Sequence, residues 1–233
     1  MQISAATLAL LVPSLVAATR HSKTGQLQTR DSHEYVTYDT WAGAIQSGKA
    51  ITDVSAAFTV PAVFLPANSK PGHTYSGAAW VGIDGIAWEV KDDKTVYSVW
   101  SEWYPTGGID FPDFQLSQGD LIRARVVAHG TNSGTAYITN ESTGQTASRT
   151  FTNRPALCLT SAEWIIEDDA GFSTKPFANF GQVVFDETKY TTDGAPGTLE
   201  GATIADMRQD EVLLTDCRIP DEEDYVACSY VGP

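Results

Sequence analysis

Three glutamates lie next to tryptophans in segments whose composition suits acid–base chemistry. Glu102 lies within WSEWYP, and Glu163 and Glu167 lie at the two ends of EWIIE. If EWIIE is a strand, alternate side chains share a face, so both of its glutamates point the same way. A carboxyl group beside a tryptophan in a cleft can have a raised pKa, which suits a group that gives and takes protons. The alternative is that the glutamates line a solvated strand face while the tryptophans fill the core.

Other common catalytic arrangements are missing from the sequence. The four histidines do not lie at metal-ligand spacing with one another or with a cysteine. They are His21, His33, His73 and His129. No glycine-rich phosphate loop precedes a helical pattern, and no Gly-x-Ser-x-Gly motif is present. We therefore expect no metal and no cofactor, and we set aside nucleotide-binding and serine hydrolase functions.

Short strands are the elements that must position these glutamates. In the segment LIRARVVA, for example, Ile122 and Ala124 alternate with Arg123 and Arg125, which is typical of a half-buried strand. The segments with strand character are 51–60, 96–104, 121–128, 135–139, 146–151, 162–167, 183–185 and 212–215. Residues that favour turns fill the gaps between them, and no long helical period appears. This pattern predicts an all-β fold, either an antiparallel sandwich or a barrel.

Length and charge narrow the class of protein. The chain has 233 residues, of which 42% are hydrophobic, and a formal net charge of −14. This length suits one large β-domain or two small domains. The negative charge disfavours nucleic acid or an anionic membrane as a partner, because phosphate groups would be repelled. It fits a protein that works in acid, where protonation of carboxylates reduces self-repulsion, although solubility alone would also explain it.

The N-terminal residues predict secretion. Residues 1–18 are interpreted as a signal peptide, because the apolar run 5–17 ends in small residues and is too short to cross a bilayer. Residues 19–34 are polar and contain three basic residues, so we predict a short pro-segment or linker there. Residues 35–233 then form the folded domain. We expect the mature protein to be extracellular and monomeric.

Cysteines and a sequon add two predictions for a secreted protein. Cys217 and Cys228 flank a polar loop near the C-terminus and are interpreted as a disulfide pair, which leaves Cys158 without a partner. Asn140 begins the sequence Asn-Glu-Ser, a glycosylation sequon that we expect in a surface loop.

Eight short motifs together carry a family resemblance. In order they are WAGAI (41–45), AWVGIDG (79–85), WSEWYP (100–105), GDLI (119–122), NESTGQ (140–145), AEWIIED (162–168), PFANFG (176–181) and CSYV (228–231). Each motif alone is weak, but eight in this order are specific. The series resembles the fungal glutamic peptidases, the eqolisins, and it extends from about Tyr35 to the C-terminus.

The resemblance implies a fold and an activity. The family folds as a concanavalin A-like sandwich of two antiparallel sheets, and its members are secreted acid endopeptidases, so protein or peptide substrates are expected. A glutamate takes a proton from water as general base and then protonates the leaving amine. A glutamine helps to bind that water and stabilises the oxyanion.

Some of the family's site residues have counterparts in this sequence, and others do not. The catalytic glutamate corresponds to Glu167. Residues that line or support the family's cleft correspond to Trp41, Trp80, Asp84 and Glu102. Ser98, in contrast, stands where the family usually has an acid.

The catalytic glutamine has no counterpart. In the family, an insert holding a cysteine and that glutamine follows GIDG and precedes an aromatic residue equivalent to Trp88. Here two strand pieces meet directly at Gly85–Ile86, with nothing left to turn the chain. Roughly a dozen residues are absent, enough at about 3.3 Å each for most of a strand and its turn.

The family's partner for Cys158 lies in the same insert, so one loss accounts for both the missing glutamine and the unpaired cysteine. The loss is either genuine or an error such as coding sequence read as intron, and the intact flanks favour an error.

Three functional hypotheses follow. The first is an acid glutamic endopeptidase that uses Glu167 and is impaired by the missing glutamine. The second is an inactive relative that binds peptide or glycan through a cleft of tryptophans, namely Trp41, Trp80, Trp100 and Trp103. The third is a concanavalin-like glycosidase that uses Glu102 and Glu167, which requires carboxyl groups about 5 Å apart for retention or farther apart for inversion.

Overall fold

A computed structural model of the chain describes residues 28–30, 33–82, 84–92, 94–168, 175–220 and 224–233, and at 28–30 and 84–86 it describes the backbone alone. The long regular elements in these ranges are all β-strands. In chain order they are β1 (Gln28–Arg30), β2 (His33–Tyr38), β3 (Trp41–Ser47), β4 (Asp53–Thr59), β5 (Tyr75–Val81), β6 (Asp84–Lys91), β7 (Lys94–Glu102), β8 (Gly108–Asp110), β9 (Leu121–Gly130), β10 (Ser133–Asn140), β11 (Gln145–Phe151), β12 (Ser161–Glu167), β13 (Gln182–Thr192), β14 (Ala195–Pro196), β15 (Thr203–Gln209), β16 (Val212–Leu213), β17 (Thr215–Arg218) and β18 (Val226–Tyr230).

The strands form two sheets that pack face to face. In the first sheet the order is β1-β2-β15-β3-β12-β5-β6-β7-β8, with β16 paired to β15. In the second sheet the order is β11-β10-β9-β4-β13-β18-β17, with β14 paired to β13. Strand pairs are antiparallel except for β15 and β2, which run parallel. The predicted antiparallel two-sheet β-sandwich is therefore confirmed.

The strand β12 shows how the sequence selects the two faces of a sheet. Trp164 and Ile166 are fully buried in the core between the sheets. The indole Nε1 of Trp164 donates to the carbonyl oxygen of Ser55 in the second sheet, at 3.1 Å. Glu163 and Glu167 alternate with these residues, so they face away from the second sheet, as their spacing predicts.

The chain reverses earlier than the sequence suggests. β5 ends at Val81 and β6 starts at Asp84, and these two residues are paired. Gly82 has a φ of +60°, a conformation that glycine adopts at little cost, and a Cβ atom there would lie 2.4 Å from Val126 Cγ2. β6 then runs unbroken through Gly85–Ile86. The prediction that strand pieces meet at that junction is therefore wrong in position, because the hairpin turns at Gly82.

The first sheet begins within the predicted pro-segment. β1 and the start of β2 lie at 28–30 and 33–34. His33 is buried, and its Nδ1 atom lies 3.1 Å from the carbonyl oxygen of Ala202. The folded domain therefore starts before Tyr35, and the predicted signal peptide lies outside the described residues. In the part of the chain that is described, no helix has the length and apolarity needed to cross a membrane.

The cysteines are arranged as the sequence analysis proposed. Cys217 and Cys228 lie opposite each other on β17 and β18, both fully buried, and they form a disulfide. Cys158 is a free and exposed thiol.

Replacing Cys217 and Cys228 together by alanine is expected to lower the free energy of unfolding by about 3 kcal/mol, because the disulfide limits the unfolded chain. The two residues are 11 positions apart, so the closed loop is short and the effect is at the lower end for natural disulfides. Urea unfolding measures the difference. Cys158→Ala is the control, with an expected change within about 0.5 kcal/mol at its exposed position. A double variant as stable as this control would contradict the prediction.

Candidate functional site

The candidate site lies on the outer face of the first sheet, the face turned away from the second sheet. Glu167 is the last residue of β12, and it pairs with Trp41 on β3 and with Ala78 on β5. Residues paired across neighbouring strands share a face, and so do residues two positions apart on one strand. Trp41, Glu167 and Trp80 are therefore brought to one side of the sheet by three adjacent strands.

Both oxygens of the Glu167 carboxyl group accept hydrogen bonds from indoles. Trp41 Nε1 donates to Oε1 at 3.0 Å, and Trp80 Nε1 donates to Oε2 at 2.8 Å. The two indole rings meet edge to face, with centroids 5.0 Å apart. Donors directed at both oxygens stabilise the ionised carboxylate through charge-assisted hydrogen bonds. The family resemblance predicts that these tryptophans line or support the cleft, and the structure shows that they also donate hydrogen bonds to the carboxyl group.

Apolar side chains form the floor around Glu167. Trp80 and Ile165 are buried there, although they lie outside the main core. Trp41, Ile45, Ala87 and Trp100 are partly buried against them. This outer cluster is a second hydrophobic surface on the first sheet, so Glu167 lies at the edge of an aromatic groove.

Glu102 lies on the same face but far from Glu167. Moving across the sheet from Glu167, the paired residues are Ala78, Ala87 and Ser98. Three strand spacings of about 4.8 Å give about 14 Å of lateral separation, and Glu102 lies a further four residues along β7. Glycosidase carboxyl pairs are at most about 9.5 Å apart. The glycosidase hypothesis is therefore wrong for this pair.

Trp103 does not belong to the predicted aromatic cleft. It is fully buried, packs against Phe151 at 5.8 Å between ring centroids, and donates through Nε1 to the carbonyl oxygen of Pro155 at 2.9 Å. Trp103 directly follows the last residue of β7 and points towards the core, whereas Trp100, on β7, faces the groove. The cleft prediction holds for Trp100 but is wrong for Trp103.

Three further positions from the family comparison, Asp84, Ser98 and Glu102, lie on β6 and β7. The side chain of Asp84 lies outside the described side chains, so its supporting role stays a prediction. Ser98, which stands where the family usually has an acid, is exposed on the groove face. Glu102 is half-buried at the end of β7 and is not in the Glu167 cluster.

Asn140 is not an accessible glycosylation site in the folded chain. It is fully buried, and Nδ2, the atom that would carry the glycan, donates to Asp120 Oδ2 at 2.8 Å. Its Oδ1 atom accepts from the backbone N–H groups of Ser142 and Thr143, each at 3.1 Å. Asn140 therefore organises the loop between β10 and β11. The prediction of an exposed sequon is wrong, because local sequence does not reveal this burial.

Two residues beside Glu167 had no role assigned from the sequence. Asp168 is only 2% exposed, and Gln209 Nε2 lies 2.7 Å from Asp168 Oδ2. Asp168 is visible in the sequence as the last residue of AEWIIED. Gln209 lies 41 positions farther along the chain, and no spacing pattern connects it to the site.

A cavity of about 170 Å³ lies beside the β5–β6 turn. Its lining includes Gly82, Trp103, Val126, Leu157 and Cys158. The free thiol and the hairpin turn therefore border the same space. This arrangement brings together two features that lie far apart in the sequence.

Glu163 is the second glutamate of β12 on the outer face. It is half-buried, and the Ser161 hydroxyl donates to its Oε1 atom at 2.9 Å. Burial raises the pKa of the Glu163 carboxyl above its ordinary value of 4.5, and the bond from Ser161 acts in the opposite direction. Burial, and then the charge of Glu163, also raise the pKa of Tyr38.

Glu163→Gln is expected to increase the stability of the protein at pH 7 and to change it little at pH 3. A raised pKa means that the folded state binds the proton more tightly than the unfolded state. The free energy of unfolding therefore decreases as the pH rises above the ordinary pKa of 4.5. At pH 3 the carboxyl group is protonated in both states, so the substitution changes little. Glutamine mimics the neutral acid at every pH.

Urea unfolding at both pH values measures this difference. The matched control is Glu200→Gln at an exposed turn position, for which we expect no gain at pH 7. A loss of stability at pH 7, or an equal change at both pH values, would show that the burial of Glu163 does not disfavour its charge.

Comparison with known sequences identifies the relatives of the chain. A family model described as the Peptidase A4 family matches residues 39–230. Aspergillopepsin-2 of Aspergillus niger is 36% identical over 219 residues, covering 82% of this chain and 77% of that protein. Scytalidopepsin B of Scytalidium lignicola is 35% identical over 209 residues, with the same coverage of both chains.

Comparison with solved structures points to the same family as the sequence relatives. The crystal structure of scytalido-glutamic peptidase with a transition state analog inhibitor has a TM-score of 0.73 and 34% identity, covering 83% of this chain and 98% of that chain. The structure of SCP-B, a member of the eqolisin family in complex with the tripeptide Ala-Ile-His, has a TM-score of 0.69 and 32% identity over the same shares of the two chains. The family model, the sequence identity and the shared fold together establish that this chain belongs to the Peptidase A4 family, the eqolisin family of glutamic peptidases.

Proposed function

We propose that the chain is a secreted acid endopeptidase in which Glu167 is the general base, and that it is impaired as it stands because its partner glutamine is absent. Family membership supports a peptidase function. The observation that carries the proposal is the pair of indole N–H donors, at 3.0 and 2.8 Å, on the two oxygens of Glu167. They orient the carboxyl group at the edge of an aromatic groove that suits an extended peptide.

The arrangement at Glu167 fits proton transfer. Each carboxylate oxygen has two lone pairs, so an oxygen that accepts from an indole can still take a proton from a water molecule. The indole donors favour the ionised carboxylate, the form that a base needs, and hold it in one orientation. The hydroxide equivalent would then attack the peptide carbonyl, and the protonated Glu167 would give its proton to the leaving amine.

Three observations support a missing segment near the β5–β6 hairpin. The alignment with Aspergillopepsin-2 spans 219 residues, which exceeds 82% of a 233-residue chain, so that relative has additional residues in the aligned region. β5 and β6 are joined by a very short turn at Gly82. The free thiol of Cys158 borders the same cavity as Gly82. A segment inserted at this hairpin would start close to Cys158 and could supply its partner.

The overall charge of the chain supports activity at acidic pH. With a formal net charge of −14 at neutral pH, the chain repels itself less as its carboxylates gain protons. Secretion rests on the predicted signal peptide at 1–18. N-terminal sequencing of the protein from culture medium tests it, and recovery of the whole chain inside cells would contradict it.

An inactive relative that binds peptide or glycan is the second candidate. The observation that favours it is the intact aromatic surface of Trp41, Trp80 and Trp100 around Glu167, which needs no glutamine to bind a ligand. Calorimetric titration with peptides and oligosaccharides tests it. A defined affinity without turnover supports this candidate, and the absence of binding contradicts it.

Sequencing the transcript across Gly85–Ile86 is the first experiment for the main proposal. An in-frame segment encoding cysteine and glutamine would identify an active glutamic peptidase and give Cys158 its partner. A transcript that matches the present chain would establish that the glutamine is truly absent. The purified chain is then assayed on denatured protein at pH 2–4. Cleavage at the rate of its relatives would contradict the role assigned to the missing glutamine.

A further inference from the structure

The pairing between Trp41 and Glu167 lies at the open end of a ladder. β3 and β12 run antiparallel, and Trp41↔Glu167 is their last paired position. One more backbone bond follows, from the Asp168 N–H to the carbonyl oxygen of Thr40, at 2.9 Å. Strand ends open more readily than strand centres, so the orientation of the two site residues depends on what holds this end closed.

β15 lies on the other side of β3, but its backbone leaves β3 before reaching this end. The β15–β3 pairs run from Thr203↔Ile45 to Ala205↔Gly43. Continuing that register would place Gln209 opposite Asp39, two residues before Trp41. No backbone pair is formed there, because β15 pairs with β16 at Gln209 instead.

The side chain of Gln209 takes the place of the missing backbone bonds. Its Nε2 atom donates to the carbonyl oxygen of Asp39 at 2.8 Å and to Asp168 Oδ2 at 2.7 Å. An amide group has two N–H donors, so both are used. One donor reaches the segment that leads into Trp41, and the other reaches the residue directly after Glu167.

We infer that Gln209 is a positioning residue that holds Trp41 and Glu167 together at the end of the β3–β12 ladder. The inference rests on the proposed role of Glu167 as the general base. Gln209 acts through the two chain segments that carry Trp41 and Glu167. An amide does not titrate, so Gln209 keeps both of its N–H donors at every pH.

The structure also predicts an asymmetry between the two tryptophans. Trp80 reaches Glu167 from β5, on the opposite side of β12 from β3. Loosening the contact of Gln209 with Asp39 should therefore disturb Trp41 more than Trp80. A residue that merely contributed to overall stability would affect both indoles alike.

Nuclear magnetic resonance of the indole N–H groups tests this asymmetry and needs no catalytic turnover. The chain has six tryptophans, so six indole signals are expected. Trp41→Phe and Trp80→Phe assign two of them. Glu167→Gln then identifies the part of their acid titration that comes from Glu167. This reference is measured before Gln209 is changed.

Gln209→Met keeps the length of the side chain and removes both donors. We expect the Trp41 signal to shift and to lose most of its response to Glu167, while the Trp80 signal keeps its response. The matched control is Gln182→Met on β13, where the lost bond goes to Ser229 and lies on the second sheet. This control should leave both signals as in the unchanged chain.

Two outcomes would overturn the inference. The first is a Gln209→Met chain whose Trp41 titration matches that of the unchanged chain, and the second is an equal loss at Trp41 and Trp80. If Gln209→Met does not fold, Gln209→Glu gives the same test, since its carboxylate repels Asp168 near neutral pH and its acid form can donate one bond at low pH. If Glu167→Gln leaves the cleavage of denatured protein unchanged while Gln209→Met shows the selective change at Trp41, the proposed function is contradicted and this inference stands.

Discussion

Inserting the segment that we propose is missing, at the β5–β6 hairpin, is expected to raise the rate of protein cleavage in acid by about a hundred- to a thousand-fold, the effect of one oxyanion donor. The segment would be taken from the corresponding position of Scytalidopepsin B, which is 35% identical to this chain. On the proposed mechanism, Glu167 already has its two indole donors, and the inserted segment adds the partner group. The initial rate of cleavage of a denatured protein at pH 2–4 is the measurement.

Two controls separate chemistry from folding in that experiment. Glu167→Gln in the restored chain keeps an acceptor oxygen for one indole but cannot take a proton, so activity should fall to background. Replacing the glutamine of the segment by alanine should return the restored chain to the rate of the present one. If the restored chain folds and forms a disulfide at Cys158 but gains no activity, or if Glu167→Gln leaves the activity intact, the proposed mechanism is wrong.

Gly43→Ala is expected to cost more than about 3 kcal/mol of folding free energy, beyond the usual range for a single substitution. Gly43 lies in the middle of β3 with a φ of +135°, which residues with a side chain rarely adopt. A Cβ atom there would lie 2.0 Å from the carbonyl oxygen of Trp164 on β12. Relieving this overlap requires β3 and β12 to separate, which also moves Trp41 away from Glu167.

Urea unfolding of Gly43→Ala against Gly144→Ala measures the steric part of this cost. Gly144 also has a positive φ, +77°, but a Cβ atom there would meet nothing within 4 Å. Its substitution should cost about 1–2 kcal/mol, the price of the left-handed backbone alone. Equal losses for the two variants would show that β3 and β12 accommodate the extra atom, and the proposed coupling between their spacing and the site would fail.

The sequence alone was sufficient to predict which side of the sheet each strand residue faces. In β12, the alternation of Trp164 and Ile166 with Glu163 and Glu167 is a local property, because successive side chains of a strand point to opposite sides. The ordered motifs were sufficient for the family and the sandwich fold, since both depend on residue identity along the chain, and they carry the prediction that Glu167 is the catalytic glutamate. These predictions needed no knowledge of which strands become neighbours.

The tertiary structure decided everything that depends on pairing between distant strands. Trp41 and Trp80 lie 126 and 87 positions from Glu167, and only the register of β3, β12 and β5 turns their indoles onto its two oxygens. The same reason separates Glu102 from Glu167 by three strand spacings and makes Gln209 a neighbour of Asp168. Residue type and spacing determine which way a side chain faces, whereas long-range register determines what it meets.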